Sequence, residues 1–94
     1  MKGCIYFIGA VLKEGQSGAV KIGYSAKDPK GRLKALQTGH PDKLHMIGWI
    51  PGTMSDEHAL HQRFRKYWLR GEWFRYEGAV HDFVWTTVLE MTDA

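Results

Sequence analysis

The sequence predicts an α/β (α+β) domain: a small three-stranded, largely antiparallel sheet flanked by helices. Three observations carry this expectation. Two apolar, β-favouring segments, Cys4 to Leu12 and Ala19 to Ser25, are joined by the glycine-containing run Lys13 to Gly18, which reads as a hairpin. Two later segments begin with helix-start chemistry and end in glycine. The chain has 94 residues, the size of one domain, taken here as residues 1–94.

The elements follow in order. Asp28-Pro29 offers an acidic N-cap and a proline at the first helical turn, predicting a helix to about Thr38, with Gly39 as its stop. Leu44 to Ile50 reads as the third strand, ended by Pro51-Gly52. Ser55 reads as the cap of a second helix, with Asp56 and Glu57 in the first turn, where the helix dipole favours acids. Leu60, Phe64, Tyr67 and Trp68 then form one apolar stripe, carrying that helix to Gly71. Glu72 to Tyr76 is a short extended stretch. From Gly78 a last helix places Val80, Phe83, Val84, Thr87, Val88 and Met91 on one face.

Composition narrows the class. Four Trp, four Tyr and four Phe support a packed core and exclude a disordered chain. No apolar run is long enough to span a bilayer, so no membrane partner is expected. The start Met-Lys-Gly lacks a signal-peptide layout, and the single cysteine, Cys4, excludes an internal disulfide; both fit a cytoplasmic location. The net charge is +3, but it is unevenly spread. Residues 1–50 hold eight Lys/Arg against three acids, and residues 51–94 hold five against seven. A basic half and an acidic half suit a polyanion on one side and a metal on the other, and equally suit charge scattered over solvated surface.

Several residues carry chemistry. On strands of period two, Cys4, Tyr6 and Ile8 share one face, and Ala19, Lys21 and Gly23 share another. If those faces coincide, a phenol, an ammonium and a bare backbone converge. A cation favours the ionised phenol, which can act as a general base. The plainer reading makes Tyr6 a core aromatic and Lys21 an edge-strand lysine. Arg32 borders the Leu33/Leu36 stripe and could hold a phosphate bidentately or simply face water. Glu57 precedes Leu60, His61 and Phe64 by three, four and seven residues, so it faces the apolar side of its helix. A carboxylate so placed requires a partner or a metal.

His58 and His61 are three residues apart and do not form a zinc motif, and Cys4 has no paired partner. His61 reads as a partner of Glu57 or a core-edge histidine. His40 and His45 flank Pro41 in a loop. Arg63, Lys66 and Arg70 read as a basic stripe on the second helix, and Trp73 and Phe74 as core plugs.

The order of these features resembles the GIY-YIG endonuclease superfamily, and more narrowly its small phage- and prophage-type branch. The matching segments are Cys4-Ile5-Tyr6, KIGYS from Lys21, RLKALQTGHP from Arg32, IPG from Ile50, EHALHQRF from Glu57 and GEWF from Gly71, over about residues 3 to 76. The resemblance implies a nuclease that cuts DNA phosphodiesters with one Mg2+ or Mn2+. It implies Tyr6 as general base or water-positioning group, Lys21 as its assistant, Arg32 as stabiliser of charge on the phosphate, and Glu57 as the metal ligand. Gly23, Tyr24, His40 and His61 would contact the substrate, Gly23 by keeping the backbone clear. Lys21 stands in place of a motif tyrosine. The usual late asparagine is missing, since the chain contains none; Gln62 and Glu72 are the candidates for its place. That departure supports a second reading, a catalytically inactive module that binds nucleic acid or a partner. Either way, so small a domain is expected to gain specificity as a homodimer or from a protein partner.

Overall fold

The computed structural model describes residues 3–11 and 18–93. Within them the order is β1 (Cys4–Val11), β2 (Ala19–Ser25), α1 (Lys30–Gln37), β3 (Lys43–Pro51), α2 (Met54–Arg63), a 3-10 turn (Arg65–Tyr67), β4 (Trp68–Arg70), β5 (Trp73–Arg75) and α3 (Gly78–Asp93). Most of the expected turn at Lys13 to Gly18, the end of β1 at Leu12 and the side chain of Met91 lie outside the described residues.

The sheet has five strands, not the three expected, in the order β3-β1-β2-β5-β4, and each pairing is antiparallel. β1 is an interior strand, buried from Cys4 to Ala10, which is why it reads as a continuous apolar run rather than an alternating one. Its neighbours cover it on both edges, and helices cover both faces. On one face Tyr6, Ile8, Ala10 and Leu44 pack with Leu33 and Leu36 of α1 and with Met46 and Trp73. On the other, Ile5, Phe7, Val20, Ile22 and Phe74 pack with Phe64, Val80 and Val84.

One extra strand, β4, comes from the segment assigned to the long second helix; the other, β5, falls in the stretch Glu72 to Tyr76 that reads as extended. α2 stops at Arg63 because Phe64, 1% exposed, turns into the core with φ −103° and ψ 19°. The chain then makes one 3-10 turn and runs extended. Gly71 takes φ +54°, a left-handed conformation that suits glycine, and folds β4 back on β5. β5 adds to β2 through Ala19↔Arg75, Val20↔Phe74 and Lys21↔Trp73. The predicted basic stripe is therefore divided: Arg63 lies on α2, Lys66 on the 3-10 turn and Arg70 on β4. The Arg63 guanidinium sits over the rings of Phe64 and Phe83 at 5.1 and 5.0 Å.

The start of α2 also moves. Thr53, not Ser55, is its N-cap, in a capping box with Asp56: Thr53 Oγ1 accepts from the Asp56 amide at 3.2 Å, and Asp56 Oδ2 accepts from the Thr53 amide at 2.8 Å. At α1 the N-cap is Pro29 rather than the expected Asp28, although Asp28 Oδ1 still accepts from the Lys30 amide at 2.9 Å. Among the described residues no helix is long and apolar enough to cross a membrane.

Candidate active site

The site forms where β2 outruns its neighbour. β5 pairs only with Ala19 to Lys21, so the backbone of Ile22 and Tyr24 must find other partners. The Ile22 amide donates to the Glu72 carbonyl at 3.0 Å. The Ile22 carbonyl accepts from His61 Nε2 at 2.8 Å, which fixes the proton on that nitrogen. The Tyr24 amide donates to the Glu57 carboxylate. One open strand edge thus draws in the start of β5 and two successive turns of α2.

Tyr6 pairs with Gly23 and Ile8 with Lys21, so the two candidate faces coincide. A side chain at Gly23 would collide with the Tyr6 ring and hydroxyl, so the bare backbone makes room for the phenol itself. Lys21 and Trp73 are also cross-strand partners, and the Lys21 ammonium lies 5.9 Å from the Trp73 ring centre. The Trp73 ring in turn meets His40, with centroids 5.6 Å apart. Trp73 is thus half-buried at the rim of the site, not a buried plug.

Electrostatics set the protonation states. Lys21 Nζ is 3.0 Å from Glu72 Oε2. That ion pair occupies the cation expected to ionise Tyr6. Burial first, and then the negative charge of Glu72, push the Tyr6 phenol up to about 12, with Arg32 pulling the other way. Tyr6, 3% exposed, is therefore a neutral phenol at ordinary pH, which corrects the expectation of a phenolate. Glu57 is 6% exposed. Burial first, and then Glu72, raise its carboxyl above the usual carboxylate range, while His61 and His58 oppose this. His61 Nε2 stands 3.9 Å from Glu57 Oε1, beyond hydrogen-bond length.

The structure thus brings Tyr6, Lys21, Gly23, Glu57 and His61 together. Arg32 is exposed on α1 and reaches the group through its field on Tyr6. Tyr24 projects to the opposite face from Gly23 and contributes its backbone amide. Its hydroxyl occupies the space a side chain at Gly3 would take. His40 lies at the rim. The residue with the largest unforeseen part is Glu72, which neutralises Lys21 and perturbs both Tyr6 and Glu57. Its only sequence signal was its position directly after Gly71, as a substitute for a missing polar group.

Among the described residues no three His, Cys, Asp or Glu side chains cluster as a metal cage. Glu57 is the buried carboxylate of the site, and Glu72, the second carboxylate in its field, is already paired with Lys21, so Glu57 is the residue whose oxygens would hold a hard divalent cation.

No curated protein and no solved structure matches the chain significantly. A family model does: the T5orf172 domain, over residues 3–92. This overturns the resemblance to the GIY-YIG endonucleases, because the matching family is a different one. The segments that suggested it lie on β1, β2, α1, the end of β3, α2 and the turn into β5. With residues 3–92 matched, the chain belongs to the T5orf172 domain family, whose domains are nuclease-like.

Proposed function

We propose that this domain binds DNA and hydrolyses its phosphodiester bonds with a divalent cation, Mg2+ or Mn2+, held at Glu57. The observation that carries this reading is the Glu57 carboxylate itself, buried at the edge of β2, raised by burial and by Glu72, and close enough to Tyr6 for its charge to act on the phenol. A carboxylate kept there against its own desolvation has a use for a cation. When bound, Mg2+ or Mn2+ supplies Lewis acidity to the phosphate and charge stabilisation to the leaving oxygen.

The protein side chains do the rest. The neutral Tyr6 hydroxyl accepts a hydrogen bond from the attacking water and orients it. Lys21, held by Glu72, offers its remaining N–H groups to a non-bridging phosphate oxygen. Arg32, on the exposed start of α1, stabilises the charge that grows on the phosphate. Gly23 keeps Tyr6 in place by leaving room for its ring.

The test is nicking of supercoiled plasmid with Mg2+ or Mn2+ by wild type, Glu57→Ala and Tyr6→Phe. Glu57→Ala should abolish nicking, and Tyr6→Phe, which removes the group that orients the water, should lower it about 100-fold. Full cleavage by Glu57→Ala, or none by wild type on several DNA forms, would overturn the reading. A second reading, a non-catalytic DNA-binding module, draws on the lack of any group of three metal-ligating side chains among the described residues. It predicts salt-dependent DNA binding that survives Glu57→Ala, without turnover.

A further inference from the structure

His61 belongs to two surroundings. Beside its contact with Glu57, it lines a cleft of about 290 Å3 with Gln62, Arg65, Trp68, Gly71 and Phe74. The cleft has aromatic walls: the His61 and Phe74 rings are 5.1 Å apart, and Trp68 closes another side. Trp68 is 55% exposed, yet its indole is not loose. Its Nε1–H donates to the Gly71 carbonyl at 2.9 Å, which fixes the ring against the β4–β5 turn. Gln62 and Arg65 supply an amide and a guanidinium at the rim.

A pinned, exposed indole, further aromatic surface, an amide that both donates and accepts, and one cation together match one chemical class. A nucleobase has a π-face to stack and an edge to hydrogen-bond, and it is joined to a phosphate. The volume lies at the small end of ligand sites and suits a single base rather than a larger group. We infer that this cleft takes one unpaired nucleobase of a DNA strand whose neighbouring phosphate lies at Glu57. This rests on the proposed function and deepens it. A base within a duplex is stacked and paired on both sides, so the substrate must present a single-stranded, overhanging or extruded nucleotide. Trp68 and Gln62 are then positioning residues that set which DNA form is cut.

The experiment measures binding of a labelled single-stranded oligonucleotide without divalent metal, with one abasic position walked along the strand. Wild type should lose about 5- to 150-fold in affinity at one abasic position, the range of one aromatic–base stack. Trp68→Ala should show a similar loss on the intact strand and no further loss at that position. Trp68→Phe, which keeps a stacking ring, should recover most of the affinity. If the protein binds and nicks DNA but is indifferent to every abasic position, the inference fails and the nuclease reading stands. If Trp68→Ala leaves DNA affinity intact and instead converts a dimer to a monomer, the cleft belongs to a second copy of the chain and the inference fails. If wild type neither binds nor nicks any DNA, both readings fall.

Discussion

Glu72 sits among groups whose protonation it governs. It holds Lys21 at 3.0 Å, and its charge raises both the Glu57 carboxyl and the Tyr6 phenol. Replacing it with glutamine removes a negative charge from beside Glu57. The ionised form of Glu57 is then less disfavoured, so its pKa falls toward the ordinary carboxylate range. Activity that requires the carboxylate should therefore persist to lower pH: the acid limb of the pH–rate profile should move downward in Glu72→Gln. An upward or absent shift in that limb would show that Glu72 does not act on Glu57. At this scale the sequence was partly legible. Tyr6, Lys21 and Glu57 could be singled out because a phenol, a cation and a core-facing acid are unusual at their positions. The Lys21–Glu72 pair could not, since 51 residues separate its members and only the pairing of β5 with β2 brings them together.

The placement of Glu57 depends on α2, and α2 depends on its start. The Thr53–Asp56 capping box satisfies amides of the first turn, the turn that carries Glu57. Thr53→Ala should cost about 1 kcal/mol of stability. It should also weaken Mn2+ affinity, because the carboxylate loses part of its fixed backbone frame. Chemical denaturation and Mn2+ titration of the same variant check both effects, and unchanged Mn2+ affinity would separate the cap from the site. The sequence placed this cap at Ser55 because Ser-Asp-Glu and Thr-Met-Ser-Asp both look like helix starts. What decides between them is which side chain reaches back to a free amide, and composition does not encode that. The other misread element has a similar cause. Leu60 and Phe64 keep helical spacing up to the last residue before the break, while β4 is exposed at all three positions and carries no alternating pattern. Its existence follows from its partner strand and the left-handed Gly71, not from its own residues.

At the scale of the whole molecule, the interior strand β1 and its hairpin partner β2 are buried between two layers of helix, and that rigidity is what the site uses. The functional groups arrive from several elements: Tyr6 from β1, Lys21 from β2, Arg32 from α1, Glu57 and His61 from α2, and Glu72 from the turn before β5. The core hairpin and the helix starts were legible because their signals are local. The edge of β2, where the groups meet, was not, because it is defined by where β5 ends. The proposed function requires this edge to hold one divalent cation on Glu57 within reach of Tyr6. The most direct measurement is the anomalous scattering of manganese in crystals grown with a short DNA strand. The account predicts a single strong peak within coordination distance of the Glu57 carboxylate, with a phosphate oxygen beside it. A map with no peak at Glu57, or with manganese bound only elsewhere, would contradict it.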